Sequence, residues 1–145
     1  MASSTASNFF HNEIMALLLN NTTFTPPATL YVALFTTVPA LDGTGGTEVS
    51  TSGTNYGRVS IAHGISANWT GPSGTNLQYS NTNDIAFLVP SANWGTITGA
   101  GLYDASTGTT NLYYVATLTT PKVVNNGDGA PRILAGQLII SRAVC

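Results

Sequence analysis

Charge is the scarcest feature of this sequence. Its 145 residues hold four Lys and Arg and six Asp and Glu, 7% of the chain, against about 25% in a typical soluble domain. The cations Arg58, Lys122, Arg132 and Arg142 are scattered. Phosphate-backbone binding needs clustered cations, so nucleic acid is not expected as a partner. There is one cysteine, Cys145, at the last position. That excludes an intramolecular disulfide and a Cys-rich zinc site; the thiol either has no role or bridges two chains. No apolar run approaches the roughly 18 residues of a membrane span, so a membrane is not expected either. No Lys or Arg precedes the first apolar segment. A secretory signal is therefore not expected, and the chain reads as made in the cytoplasm.

Catalytic chemistry is equally thin. The two histidines, His11 and His63, stand in no nucleophile motif, and no Gly-x-Ser-x-Gly elbow is present. The six carboxylates, Asp42, Asp84, Asp104, Asp128, Glu13 and Glu48, fall mostly in turn or strand-edge contexts, where Asp caps backbone groups. No phosphate-binding glycine loop leads into a helix. Asp42 to Glu48 offers oxygen ligands on a flexible backbone but lacks the alternating acidic spacing of a calcium loop. It reads as a plain Gly-rich loop. The expectation is a protein that is not an enzyme, with no cofactor and no metal.

What the chain does have is Thr, Ser, Asn and Gly in place of surface charge, with 43% hydrophobic residues. That is enough apolar content for one core in a chain of this size. A weakly charged surface gives little colloidal repulsion and suits a protein packed against neighbours.

Residues 1–7 are small and polar and read as a flexible arm, with residues 8–145 forming a single β-rich domain. Phe10, Ile14, Leu17 and Leu18 then recur at helical spacing, and Phe9, Met15 and Leu19 widen the apolar face. Ser7 or Asn8 can cap the start and Asn20–Asn21 the end. The spacing predicts a helix over 8–19, to be covered by a sheet or by a neighbouring subunit. Thr25-Pro26-Pro27 breaks the chain. Strands are predicted over 30–37, 56–62, 85–89, 96–103, 112–118 and 133–140, and the connection over 64–79 is expected to hold one short strand. Asn126-Gly127-Asp128-Gly129 is a turn signal. Short strands with turn clusters predict a mainly β fold, an antiparallel sandwich or barrel-like domain with one N-terminal helix.

The ordered motifs carry a resemblance. Leu30 to Thr37 is followed by Gly45-Gly46-Thr47-Glu48-Val49 and Tyr56-Gly57-Arg58-Val59. Then come Asn83-Asp84-Ile85-Ala86-Phe87, Asn93-Trp94-Gly95-Thr96-Ile97, Gly101-Leu102-Tyr103-Asp104, Leu112-Tyr113-Tyr114, and Val123 to Asp128. The set resembles a family of small β-rich virion proteins of tailed bacteriophages, labelled tail-fibre proteins or capsid cement (decoration) proteins. The resemblance implies a structural virion protein with no catalytic residues. Small size, low charge and the absence of a long shaft favour a cement protein on the outer capsid surface, clamping the major capsid protein. The alternative is a tail fibre or tail-tip component that binds a host receptor. Exposed sheet edges and low charge lead us to expect a homo-oligomer, dimer or trimer. Contact residues are expected among Phe9, Phe10, Tyr56, Trp69, Tyr79, Arg142 and Cys145, because aromatic and Arg side chains anchor interfaces.

Overall fold

Strand β2 (Thr29–Thr37) is the axis of the architecture in the computed structural model, which describes residues 4–62 and 66–141. Its run of apolar and β-branched residues leaves no polar face. Val32 and Leu34 enter one hydrophobic cluster and Ala33 and Phe35 another on the opposite side of the sheet, as strand alternation requires. On one edge β2 pairs antiparallel with β8 (Gly95–Tyr103), which pairs in turn with β9 (Leu112–Val124). The other edge is shared. The two-residue β3 (Thr47–Glu48) takes the Phe35–Thr37 end, and β4 (Val59–Ala62) takes the Thr29–Val32 end. The outermost strand is β1 (Thr5–Ala6), antiparallel to Val115 and Tyr114 of β9.

Close strand approach depends on glycine at the centre of this sheet. A Cβ on Gly99 would lie 2.4 Å from the Val38 side chain and 2.5 Å from the Ala116 carbonyl oxygen. Only a residue without a side chain fits there.

Two smaller antiparallel units complete the fold. A hairpin of β5 (Trp69–Ser73) and β6 (Gln78–Asn81) is extended by β11 (Ile139–Ile140), and β7 (Ile85–Ala86) pairs with β10 (Arg132–Ile133). Ile85, Phe87 and Leu138 from these units join Val32, Leu34, Ile97 and Leu102 of the large sheet in the main core. Tyr56, Phe87 and Trp94 form its aromatic centre, with Trp94 edge-on to both of the others. The Trp94 Nε1–H donates to the Thr54 carbonyl at 2.8 Å, which satisfies its one buried donor. Among the described residues the protein is therefore mainly β with antiparallel sheets, no closed barrel, and one α-helix near the N-terminus.

That helix, α1 (Asn8–Asn20), ends one residue beyond the predicted range. Ser7 caps it, accepting from Phe10 N at 3.1 Å, while Asn21 closes it in the left-handed conformation at φ 51°.

Three expectations need correction. Residues 4–7 do not hang free. Ser4 N donates to the Ile139 carbonyl and Ser7 N to the Tyr113 carbonyl, and the Ser7 hydroxyl donates to the Leu112 carbonyl. Small polar residues cover a sheet edge as readily as they make a tether. The single closing strand over 133–140 is two short strands around a turn at Gly136 (φ +77°). Asn81 imposes the break. It is buried, its Oδ1 accepts from Leu138 N, and its Nδ2 donates to the Leu134 and Asn83 carbonyls. Third, the connection over 64–79 holds most of a hairpin, not one strand.

Tyr56, buried at the core, gives a pH dependence. Its hydroxyl accepts from Leu34 N and donates to Glu48 Oε1, both at 2.9 Å. Burial, foremost, pushes this phenol far above its ordinary value, with the Glu48 charge acting in the same direction. A raised folded-state pKa means the folded protein holds its proton after the unfolded chain has lost it. Stability is therefore full below the unfolded value of about 10 and falls as pH rises above it, by up to about 1.4 kcal/mol per pH unit for this group. Tyr56→Phe is expected to make that alkaline fall shallower by up to the same slope. Urea unfolding midpoints between about pH 9 and pH 11 check it.

Candidate interaction surface

Helix α1 is amphipathic in an unusual sense: both of its faces are apolar. One is aromatic and meets the sheet. Phe9 packs edge-on to Tyr113 at 5.3 Å, and Phe10 lies between Tyr113, Tyr114 and Phe24 at 5.3–6.1 Å. The other is aliphatic and meets solvent. Leu18 is 76% exposed, Leu19 68% and Met15 53%, with Ile14 and Leu17 also exposed. Met15, Leu18 and Leu19 fall on one side by helical spacing, with Ile14 flanking them. The helix has no acidic residue in its first turn and no basic residue in its last. Its one charged residue, Glu13, is half-buried. Scattered exposed Leu residues are ordinary, whereas a contiguous uncharged aliphatic ridge marks a surface that another molecule covers.

The ridge is rigidly presented. Asn8 N donates to the Leu41 carbonyl at 2.9 Å, and Asn21 N–H returns to the Ala16 carbonyl. The aromatic side fixes the rotation of the helix, so the aliphatic side points outward.

The residues singled out in the sequence divide among several places. Phe9 and Phe10 are half-buried and serve as the glue between α1 and the sheet. Tyr56 is a correction: it is a core residue with both hydrogen-bonding functions of its hydroxyl used, so it has no surface to offer a partner. Trp69 opens β5 and packs half-buried against the core. Tyr79, on β6, is exposed. Arg142 and Cys145 lie outside the described residues, as does His63. The exposed aliphatic residues of α1 carry a signal in the sequence, their helical spacing, but that spacing alone does not say which side of the helix the sheet covers.

Arg58, one of the four cations scattered along the sequence, is an internal brace. Its Nε and Nη2 grip Glu48 Oε1 and Oε2 at 2.9 and 2.8 Å. Nη1 and Nη2 also donate to the Ala105 and Gly108 carbonyls, each at 2.8 Å. The guanidinium lies 3.9 Å over the Tyr103 ring. One side chain thus ties β3, the start of β4 and the 104–111 loop together, in the bidentate geometry that suits Arg. In the 42–48 loop Asp42 caps its own turn, with Oδ1 accepting from Thr44 N at 2.9 Å and Thr44 Oγ1 at 2.7 Å. Among the described residues no group of three or more His, Cys, Asp or Glu could hold a metal ion. Among them, too, no helix is long and apolar enough to cross a membrane.

A family model described as podophage GP4 fiber I protein gp80 matches residues 5–141. The matched span takes in β1, α1 and every sheet of the fold. No curated protein matches the chain.

Proposed function

Because the chain belongs to the podophage GP4 fiber I protein gp80 family, and so is a bacteriophage virion structural protein, we propose that it is a fibre subunit that docks on the particle through the aliphatic face of α1. The observation that carries this is the exposed ridge of Met15, Leu18 and Leu19, flanked by Ile14. A virion component is assembled once and held by buried surface, and an uncharged apolar helix supplies that surface without desolvating charge. The partner is a neighbouring virion protein, with further copies of this chain beside it. The role is structural and not enzymatic.

A second placement, as capsid cement bridging major capsid protein subunits, draws support from shape. The described strands fold back into short antiparallel sheets and build no extended shaft. The family's description favours the fibre; the fold itself is compatible with a clamp.

Locating the protein on purified virions by gold labelling and electron microscopy separates the two. Label on projecting fibres supports the first placement. Label spread over the head surface in many copies overturns it in favour of cement, and label absent from the particle overturns both.

A further inference from the structure

Just past β9 the chain turns over Asn125–Asp128. Asp128 N donates to the Asn125 carbonyl at 3.2 Å, and Gly127 takes the third position at φ +83°, where a turn of this kind calls for glycine. All four residues are exposed. Of the Asn residues in the chain, Asn126 alone is followed by Gly. We propose that Asn126 is a site of spontaneous covalent modification, which loses its side-chain nitrogen as ammonia and leaves aspartate and isoaspartate at position 126.

The chemistry is internal to the turn, with water as the only co-reactant. Gly127 N gives up its proton and bonds to Asn126 Cγ. The Cγ–Nδ2 bond breaks, and the nitrogen leaves as ammonia with that proton. Water then opens the cyclic imide and returns a proton to Gly127 N. Attack at Cγ gives aspartate; attack at the main-chain carbonyl carbon gives isoaspartate, with the backbone rerouted through the side chain. Three features of the fold leave this path open. The nucleophile is loosely held: Gly127 N donates to the Pro90 carbonyl at 3.4 Å, long for such a bond, so the Asn126–Gly127 peptide can rotate toward Cγ. The approach is clear, since even a Cβ on Gly127 would meet nothing within 4 Å and glycine accepts either sign of φ. The electrophile is free: the Asn126 side chain is exposed and, among the described residues, makes no hydrogen bond. The two Asp-Gly pairs, Asp42-Gly43 and Asp128-Gly129, could close the same ring by losing water, but both carboxylates are engaged. Asp42 Oδ1 accepts from Thr44 N and Oγ1, and Asp128 Oδ2 accepts from Asn125 N at 2.7 Å. Conversion adds one negative charge to a chain of net charge -2 and places it in the same turn as Asp128.

The assignment concerns the free chain in solution, so it stands or falls separately from where the protein sits on the virion. The test is incubation of the purified full chain at mildly alkaline pH, once folded and once unfolded in urea. Peptide mass mapping follows the amide-to-acid exchange at each Asn, and enzymatic methylation scores isoaspartate. The expected result is that Asn126 of the folded protein converts within about tenfold of its rate in the unfolded chain. It converts ahead of every other Asn and of both Asp-Gly pairs, and its product includes isoaspartate. Gly127→Ala, which crowds the attacking nitrogen, is expected to slow conversion at least about tenfold. That variant is also measured in urea, where folding is not at issue. Folded-state conversion more than about tenfold slower than in the unfolded chain shows that the turn protects Asn126 and overturns the proposal. So does faster conversion at another Asn, a product without isoaspartate, or a rate that Gly127→Ala leaves unchanged.

Discussion

Arg58→Ala is expected to lower the free energy of unfolding by about 3–5 kcal/mol, the cost of leaving one partner of a buried ion pair alone. The Arg58 side chain is 3% exposed and that of Glu48 27%, so the value should fall at the lower end of that range. Three losses coincide. Glu48 keeps only the Tyr56 hydroxyl, the carbonyls of Ala105 and Gly108 lose their donors, and the Tyr103 ring loses its cover. An exposed ion pair would contribute about 0–1 kcal/mol and would fade with added salt. Urea unfolding at low and high salt discriminates: a change below about 1 kcal/mol would reduce the brace to a surface pair. The double variant Arg58→Met with Glu48→Leu is expected to be more stable than Arg58→Ala, because it removes both charges and strands neither.

That brace shows where sequence reasoning reaches its limit. Arg58 and Glu48 are ten positions apart; Glu48 ends β3 and Arg58 stands just before β4, two strands that each pair with β2 and not with each other. Nothing in either local pattern announces the contact, and in a chain so poor in charge each charged residue looks isolated. The loop at 104–111 that Arg58 holds is more distant still. Long-range polar contacts of this kind depend on topology, which local periodicity does not encode.

Local signals did better. The Leu30–Thr37 run is buried on both faces, the 96–103 and 112–118 runs are adjacent strands, and Ser7 and Asn21 cap a helix at the expected ends. Each rests on spacing or capping chemistry that acts within a few residues. The misses share a cause too. Thr5–Ala6 forms a strand only because β9 presents an open edge, and 133–140 breaks only because Asn81 reaches in from 53 residues away. In both cases tertiary partners override a weak local preference. The helix lies between these cases. Its double apolar face was legible, but which half the sheet would claim was not, since Phe9 and Phe10 could equally have been the exposed anchors.

The split between those two faces makes the docking surface testable without disturbing the fold. Replacing Leu18 and Leu19 together by lysine is expected to leave unfolding stability within about 0.5 kcal/mol of the parent, yet to weaken attachment to the virion at least about a hundredfold. The two side chains are 76% and 68% exposed, so the folded chain loses little packing. Lysines in the last turn also complement the negative end of the helix dipole. On the particle the same ammonium groups would have to leave water for an apolar contact, a change costing several kcal/mol. Purified variant added to particles lacking the native protein, followed by counting bound copies per virion, reads the effect directly. Leu134→Lys is the control, since Leu134 is also exposed but lies just past β10 and not on α1; it should bind as the parent does. If the double lysine variant reaches full occupancy, the aliphatic face of α1 is not what holds this protein on the virion. Attachment would then have to be sought along exposed strands such as β6, where Tyr79 stands at the surface.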